Sequence, residues 1–349
     1  MLAKRVAELP SEDIWSFEPK WDGFRALVFR DGDELLIQSR DGKSLNRYFP
    51  ELIAPLHRAL PPRCVLDGEI VIAQNGRLEF EALQLRVHPA ASRVKLLSEQ
   101  TPASIVFFDL LCENDHDLRE LPFENRREQL LTLLSTAAPP IHITPATRDA
   151  SVAADWFSRF EGAGLDGVVA KNRAGTYEPN KRVMLKVKHE RDCDCVVGGF
   201  RWYKDGEDTE IGSLLLGLFD EAGALHHVGI CASFPKEQRQ ELTRFLAPWR
   251  TDALATHPWK HWDAGGEETT GQRMPGGKSR WSQGKDLSWE PLRTELVVEV
   301  AYEHMQGPRF RHTAHFRRWR TDKPPRDCTY AQLEVVSPQE LQAIFPPRV

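Results

Sequence analysis

The sequence predicts a mixed α and β domain followed by a small β-barrel domain. The length of 349 residues suggests about two domains. Strand-like and helix-like segments alternate over the first 190 residues. After Lys188, short β-rich segments with glycine-rich or acidic turns replace that alternation. The predicted domains are therefore residues 1–190 and 191–349.

The first domain is predicted to begin with a hairpin. Two β-rich runs, FRALVFR and ELLIQSR, flank Asp31-Gly32-Asp33, and an Asp-Gly turn between such runs is typical of a hairpin. Further runs are rich in Val, Ile and Phe, residues that favour strands. These additional strands are predicted at residues 64–73, 104–111, 166–171 and 183–188.

Three helices are predicted between these strands. Apolar residues recur at helical intervals in residues 50–60 and 124–135. Residues 154–164 end on glycines, as helices often do. The interleaving of strands and helices favours one α+β or α/β domain.

The second domain is predicted to contain strands and a single amphipathic helix at residues 234–246. The strands are predicted at residues 194–200, 212–220, 225–231 and 295–303. A few strands and one helix within roughly 140 residues fit a small β-barrel, for which the oligonucleotide-binding (OB) type is our first choice.

Two further segments complete the second domain. Residues 251–290 are poor in aliphatic residues and rich in Gly, Trp and charge, which predicts an inserted loop of the kind that is often functional. Ser337-Pro338-Gln339-Glu340 matches a capping box with proline at the first helical position, which predicts a short closing helix. The loop contains four basic residues that are candidate contacts for phosphate groups, namely Arg273, Lys278, Arg280 and Lys285. A disordered insertion is the alternative.

Composition and spacing exclude several classes of protein. The net charge of −5 excludes a uniformly basic nucleic-acid coat but permits a local basic face. No apolar run is long enough for a signal peptide or a membrane span, so we expect a cytoplasmic protein. Cys193 and Cys195 do not have the spacing of a zinc knuckle. The segment GQRMPGGKS at 271–279 is one residue too long for a phosphate-binding P-loop.

A lysine followed by an Asp-Gly turn is the centre of the predicted chemistry. Lys20 precedes Asp22-Gly23 and lies before the predicted hairpin. In DGEIV, Asp67 and Glu69 share one strand face because side chains alternate with period two. The other candidates are Phe108 beside Asp109, Asp166 in DGVVAK, and Lys186 and Lys188 on one strand face. Together they form a nucleophile, carboxylates, a stacking aromatic and phosphate ligands, although each segment alone also fits a purely structural role.

This set of residue types favours nucleotidyl transfer. An amine must be neutral to attack phosphorus, and at an ordinary lysine pKa of about 10.4 only about one in a thousand is neutral near pH 7.4. Neighbouring cations such as Lys186 and Lys188 disfavour the ammonium form and would also screen an anionic α-phosphate. Glu69 and Asp166 offer the hard oxygen ligands that Mg²⁺ prefers.

A basic segment near the end of the chain provides a second candidate phosphate site. Residues 309–326 are dense in Arg and Lys and contain a single acid, Asp322. The interleaved aromatics Phe310, Phe316 and Trp319 favour a structured surface over a solvated charge run. Arginine suits phosphate because its donors form a rigid fork.

The ordered series KWDGFR, SRDGKS, LDGEIV, FFDLL, DGVVAK and LKVK resembles motifs I to V of the ATP-dependent DNA ligases. That family belongs to the covalent nucleotidyltransferases, with mRNA capping enzymes and RNA ligases. The downstream segments DCVVGGF, PLRTELVVEVAYEHMQG and RFRHTAHFRRWRTDKPPRDC resemble the bacterial ligase-C type. Residues 318–323 match motif VI. The resemblance covers about residues 12–335 and implies an α+β adenylation domain with antiparallel sheets and an OB-fold domain.

The resemblance also implies a role for each matched residue. Lys20 is identified as the nucleophile that becomes adenylylated. The implied ATP and AMP contacts are Glu18, Arg25, Arg40, Glu69, Phe108, Lys186, Lys188, Arg318, Arg320 and Lys323. Glu18 lies near the adenine amino group, Phe108 stacks on adenine, and Arg318 and Arg320 close over the outer phosphates. Glu69 and Asp166 are the implied ligands of Mg²⁺ or Mn²⁺. Most family members have glutamate at position 166, so a water-bridged contact is the alternative there.

The implied activity is the sealing of nicks in duplex DNA through a lysyl-AMP intermediate and a DNA-adenylate. We expect a monomer that uses ATP and swings its second domain about a hinge near 188–194. Partner proteins and the choice between excision repair and end joining stay open. The alternatives are an RNA ligase, a GTP-dependent capping-type enzyme, or a non-catalytic nucleic-acid-binding protein.

Overall fold

The structure is a computed structural model that describes residues 1–203, 209–260, 288–333 and Leu341. Among the described residues, 1–188 and Leu341 form one compact unit, and 189–333 form the second. No helix in the described segments is long and apolar enough to cross a membrane. Several predictions lie outside the described residues, namely the closing helix at 337–340 and the loop residues Arg273, Lys278, Arg280 and Lys285.

Strands and helices alternate in the first unit. Its strands are β1 (Leu2–Arg5), β2 (Trp15–Pro19), β3 (Phe24–Asp31), β4 (Glu34–Ser39), β5 (Arg63–Val71), β6 (Ala73–Gln74), β7 (Arg77–Leu78), β8 (Ser104–Glu113), β9 (His116–Asp117), β10 (Ile141–Ile143), β11 (Val168–Asn172) and β12 (Arg182–Val187). Its helices are α1 (Pro50–Ala59), α2 (Phe80–Arg86), α3 (Ala91–Gln100), α4 (Phe123–Leu133) and α5 (Ala150–Phe160).

Two larger sheets carry the residues of interest. One has the strand order β10-β8-β5-β3-β4, with β9 also paired to β8. The other has the order β1-β12-β11-β2. All pairs are antiparallel except β8 with β10 and β1 with β12. This pairing makes the unit α+β rather than α/β.

The predicted hairpin is confirmed as β3 and β4, which pair from Ala26 with Ser39 to Asp31 with Glu34. The strands predicted at 64–73 and 104–111 are confirmed as β5 and β8. The predicted helices correspond to α1, α4 and α5, whereas α2 and α3 were not predicted. Helix α1 buries Leu52 and Leu56 in a core that also contains Val28 and Ile37, which explains its helical spacing of apolar residues.

The second unit is mainly β. Its strands are β13 (Arg191–Trp202), β14 (Ile211–Phe219), β15 (Leu225–Ala232), β16 (Glu290–Pro291), β17 (Val297–Tyr302), β18 (Met305–Gln306), β19 (Arg309–Phe310) and β20 (His315–Trp319). Its helix is α6 (Lys236–Leu246), as the sequence predicts. The main sheet has the order β15-β14-β13-β17-β20, with β16 paired to β13. Cys231 of β15 also forms a bridge with Ala314, which lies just before β20.

Residues at the two ends of the predicted inserted loop pack against the core of the second unit, which was not predicted. Trp259 is 2% exposed, and its Nε1 donates to the carbonyl of Leu225 at 2.8 Å. His257 is equally buried, and its ring contacts those of Trp259 and Trp289. The segment is poor in aliphatic residues, and aromatic rings supply much of its contact with the core.

Candidate active site

Two backbone hydrogen bonds fix Lys20 at the end of β2. Its N–H donates to the carbonyl of Gly167 at 2.8 Å, and its carbonyl accepts from the N–H of Asp166 at 2.9 Å. Gly167 has a φ of +120°, and a Cβ there would lie 2.1 Å from the carbonyl oxygen of Val187. Because only glycine fits this position, the DG pair of the DGVVAK segment is what brings Asp166 to Lys20.

Asp166 contacts two lysine ammonium groups. Lys20 Nζ forms an ion pair with Asp166 Oδ2, and Lys188 Nζ lies 2.9 Å from the same oxygen. Burial alone would raise the pKa of the Asp166 carboxyl, but the two ammonium groups outweigh burial and lower the pKa. The carboxylate is therefore ionised, and the three groups together carry an excess positive charge.

Glu69 lies on β5, directly opposite Arg25 of β3. Burial raises the pKa of Glu69 to about 7, against the lowering effects of Lys20 and Arg25, although the side chain keeps some exposure to solvent. Gly23 of KWDG approaches this strand closely. A Cβ on Gly23 would lie 2.1 Å from the carbonyl oxygen of Ile70 and 3.0 Å from Glu69 Cγ. The glycine of the motif thus allows the turn after Lys20 to pack against β5.

Arg25 is held by a buried carboxylate. Its Nε and Nη2 donate to the two oxygens of Asp67 at 3.0 and 2.6 Å. The hydroxyl of Tyr177 donates to Asp67 Oδ2 at 2.8 Å. Burial opposes the charged form of Arg25, but its bonds and charge interaction with Asp67 raise its pKa overall. Arg25 therefore stays charged and oriented beside Glu69.

Glu18 is buried on β2, and both of its carboxylate oxygens are engaged. Arg127 Nη1 lies 3.0 Å from Oε1, and Lys171 Nζ lies 2.7 Å from Oε2. Neither Arg127 nor Lys171 was predicted as a functional residue. The two cations therefore hold both oxygens of the Glu18 carboxylate in place.

The ring of Phe108 faces cations. Lys171 Nζ lies 4.7 Å from its centroid and the Arg25 guanidinium 5.8 Å, both within the range of cation–π attraction. Lys171 Nζ also donates to the Phe108 carbonyl at 3.1 Å. The predicted stacking aromatic therefore lies beside the partner of Glu18, so these two predicted adenine contacts share one neighbour.

Lys186 and Arg40, the two other predicted phosphate contacts of the first unit, lie on different elements. Lys186 lies on β12 opposite Val169 of β11, two residues before Lys188. Arg40 lies in the exposed turn after β4. Their predicted phosphate contacts stay predictions.

The cations of the predicted motif VI are paired with carboxylates inside the second unit. Arg318 donates to Glu299 at 2.8 and 3.1 Å, with a side chain that is 62% exposed. Arg320 Nη1 donates to both oxygens of Asp194 at 2.9 and 2.8 Å. Lys323 Nζ lies 2.9 Å from Asp194 Oδ2. The positive charge of this segment is therefore largely compensated by its own unit.

The predicted metal ligands differ in how well they suit a divalent cation. Glu69 offers a hard carboxylate whose ionised form burial disfavours, and a nearby dication would offset that cost. Asp166 Oδ2 is already shared by Lys20 and Lys188. The donor chemistry thus fits Mg²⁺ or Mn²⁺ at Glu69, and the metal contact of Asp166 stays a prediction.

Sequence reasoning missed the residues that hold the predicted ones. Asp67 was noted only as a neighbour of Glu69, although it orients Arg25. Lys171 is the last residue of DGVVAK, and a cation at the end of a buried strand is a signal that could have marked it. Arg127 and Tyr177 carry no sequence signal, because their partners are more than 100 residues away.

Comparisons with known proteins agree with the resemblance. The family described as ATP dependent DNA ligase domain matches residues 1–188. The family described as ATP dependent DNA ligase C terminal region matches residues 207–323.

Curated relatives match over nearly the whole chain. DNA ligase C2 of Mycolicibacterium smegmatis is 52% identical and covers 96% of this chain and 93% of the relative. DNA ligase C of Mycobacterium tuberculosis is 51% identical and covers 99% of this chain and 96% of the relative.

A solved structure shares the fold. It was described in a structure-function study of Lig E DNA ligases with a minimal DNA-binding scaffold, and it has a TM-score of 0.54 at 16% identity. The match covers 92% of this chain and 100% of that chain. At this identity the likeness concerns the fold alone.

Proposed function

Since the chain belongs to the ATP-dependent DNA ligase family, we propose that Lys20 is the residue that carries AMP during catalysis. The chain is an ATP-dependent DNA ligase. The observation that carries the assignment of Lys20 is its contact with Asp166, an anion that Lys188 also contacts. An amine beside excess positive charge is suited to approach an anionic phosphate.

The proposed cycle has three transfers at phosphorus. First, the lone pair of Lys20 Nζ attacks the α-phosphorus of ATP, the bond to pyrophosphate breaks, and the nitrogen loses a proton. Second, an oxygen of the 5′-phosphate at a nick attacks the AMP phosphorus, and the P–N bond to Lys20 breaks. Third, the 3′-hydroxyl attacks that 5′-phosphate, AMP leaves, and a phosphodiester bond remains.

The residues around Lys20 position the nucleophile and attract the phosphates. The lowered pKa of Asp166 makes it a weak proton acceptor, so the proton that Lys20 loses in the first step passes to water. We therefore assign Asp166 the positioning of Lys20 Nζ rather than general-base catalysis. Lys188 and Lys186 supply positive charge for the α-phosphate. When bound, Mg²⁺ or Mn²⁺ near Glu69 would stabilise negative charge on the phosphates.

The carboxyl group of Glu18 favours ATP over GTP. A carboxylate oxygen can accept a hydrogen bond from the adenine amino group, whereas guanine presents a carbonyl oxygen at the same position. Arg127 and Lys171 hold the Glu18 side chain in position. Phe108 would stack on the base, and Arg25 and Arg40 would lie near the nucleotide or the DNA 5′-phosphate. This supports the ATP-dependent reading over a GTP-dependent capping enzyme.

The strand path of the second unit supports the proposal of an OB-type barrel. The sheet runs from β15 through β14, β13 and β17 to β20. A single bridge pairs Cys231 of β15 with Ala314, which lies just before β20, and such a contact between the two end strands of this path supports a closed arrangement. We propose that this unit contributes Arg318, Arg320 and Lys323 to the first step. Nicked duplex DNA is the proposed partner. Since the protein would bind it mainly through its phosphates, the binding affinity should fall as the salt concentration rises.

The mass of the intact protein after incubation with ATP and Mg²⁺ tests the assignment of Lys20. We expect the wild type to gain one AMP, Lys20→Ala to gain none, and Lys95→Ala, which changes an exposed lysine on α3, to match the wild type. An adduct on Lys20→Ala would place the nucleophile elsewhere. An adduct from GTP alone would favour a capping-type enzyme, and sealing of nicked RNA but not nicked DNA would favour an RNA ligase.

A further inference from the structure

Asp194 of β13 is the common partner of two predicted motif VI cations. Its two oxygens accept from Arg320 Nη1 at 2.9 and 2.8 Å, and its Oδ2 lies 2.9 Å from Lys323 Nζ. The Asp194 side chain is only 10% exposed. Hydrogen bonds to a desolvated carboxylate are stronger than those at the surface, so this anion restrains both cations.

The backbone of Asp194 is held from two sides. It pairs across the sheet with Glu299 of β17. The side chain of Gln332 accepts from the Asp194 N–H at 2.8 Å and donates to the Asp194 carbonyl at 3.0 Å. Its neighbours Cys193 and Cys195 are buried in the core of the unit, which directs Asp194 to the opposite strand face. The carboxylate therefore has a fixed position from which to orient its partners.

Arg320 is oriented by a second carboxylate as well. Its Nε and Nη2 donate to the two oxygens of Asp322, both at 2.9 Å, so each of its three nitrogens donates to a carboxylate. Asp194 and Glu299 are like charges directly opposite each other, an arrangement that is unfavourable unless a cation lies near both. Arg320 Nη1 lies within 3.4 Å of Glu299 as well as beside Asp194.

We propose that Asp194 is a positioning residue for the first step of ligation, which it serves by holding Arg320 and Lys323 in the orientation that receives the outer phosphates of ATP. An ammonium group has three donors, so Lys323 keeps two for a phosphate while one is directed to Asp194. Asp194 touches neither substrate nor nucleotide in this role. The inference rests on the proposed function, in which these cations act on ATP.

Asp192 provides a matched comparison on the same strand. It lies two residues earlier on the same face of β13, and it pairs with Arg317 at 3.1 Å. Both side chains of that pair are exposed, at 54% for Asp192 and 41% for Arg317. Asp192→Asn thus removes a similar charge pair that does not involve the predicted motif.

The test measures the two halves of the reaction separately in the full chain. For Asp194→Asn, we expect the KM for ATP in adenylylation to rise about tenfold or more while sealing of a pre-adenylylated nick changes by less than about twofold. Asp194→Glu, which keeps the charge, should recover part of the loss, and Asp192→Asn should match the wild type in both assays.

A second variant keeps the test decisive if Asp194→Asn does not fold. Gln332→Leu leaves the carboxylate in place and removes both side-chain bonds to the Asp194 backbone, so a smaller rise in the KM for ATP is expected with unchanged sealing of the pre-adenylylated nick. Equal loss in both assays, or wild-type behaviour of Asp194→Asn and Gln332→Leu, would overturn the inference. If the wild type gained no AMP, the proposed function itself would fail, which is a distinguishable result.

Discussion

The two clusters of charged residues differ in whether positive charge is in excess. Around Lys20 and Lys188, two ammonium groups share the carboxylate of Asp166, whose side chain is 6% exposed. Around Arg320, one guanidinium contacts the carboxylates of three residues of its own unit, namely Asp194, Glu299 and Asp322. The first cluster keeps positive charge for an incoming polyanion, whereas the second is already compensated. We infer that the first cluster supplies most of the attraction for the nucleotide.

Burial strengthens this difference. A charge removed from water interacts strongly with its partners, and removal of one partner leaves an uncompensated charge. Exposed ion pairs are screened and contribute little. Substitutions around Asp166 should therefore have larger effects than substitutions among the exposed partners of the second cluster.

Apart from Lys20→Ala, the largest effect is expected for Lys188→Ala, which removes a proposed phosphate ligand and one of the two ammonium groups that contact Asp166. We expect the rate of adenylylation to fall about 100-fold, within the range for loss of one group that stabilises developing charge. Lys186→Ala should reduce the rate less, because Lys188 retains its contact with Asp166. The time course of AMP addition by intact mass measures both rates.

The control for these variants is Lys181→Ala, which removes an exposed lysine that pairs with Glu178. Its rate should equal that of the wild type. Unchanged rates for both Lys186→Ala and Lys188→Ala would show that the phosphate assignment is wrong.

Asp166→Asn tests whether the shared anion positions the nucleophile. We expect adenylylation to slow about 30-fold, because a displaced nucleophile loses its alignment with the phosphate. Asp155→Asn is a matched control, since Asp155 pairs with Arg159 on the exposed surface of α5. A faster reaction of Asp166→Asn at neutral pH would show instead that Asp166 mainly stabilises the ammonium form of Lys20.

The sequence predicts the types of residue in the site better than their pairings. Local patterns correctly predicted the strand that carries Glu69 and the hairpin of β3 and β4, because β-rich runs and an Asp-Gly turn are local properties of the chain. The contact between Lys20 and Asp166 joins residues 146 positions apart. It forms because β2 and β11 pair, and strand order is not encoded in any local pattern. Asp166 was accordingly predicted as a metal ligand and not as the partner of two lysines.

The second unit shows a similar limit. The arginines of its basic segment were recognised, but Asp194 was not, since a single acid in a predicted strand carries no signal of its own. The segment around Trp259 was predicted to be part of an inserted loop because its composition is poor in aliphatic residues. In the structure the Trp259 ring is buried, and burial of an aromatic side chain depends on the tertiary packing that receives it.

The smallest effect on adenylylation is expected in the cluster around Arg320. Arg320→Ala should slow adenylylation about tenfold and sealing of a pre-adenylylated nick less than about twofold, because its proposed role concerns ATP alone. Arg317→Ala is the matched control, because Arg317 forms exposed ion pairs with Glu190 and Asp192. It should change the free energy of unfolding by less than about 1 kcal/mol. It should also leave both rates unchanged. The rate of adenylylation by ATP and the rate of sealing of a pre-adenylylated nick are measured for each variant. Urea unfolding gives the free energy of unfolding. If Arg320→Ala impaired both steps equally, the cluster around Arg320 would act in DNA sealing as well as in adenylylation. The two clusters would then differ only in how deeply their charged groups are buried.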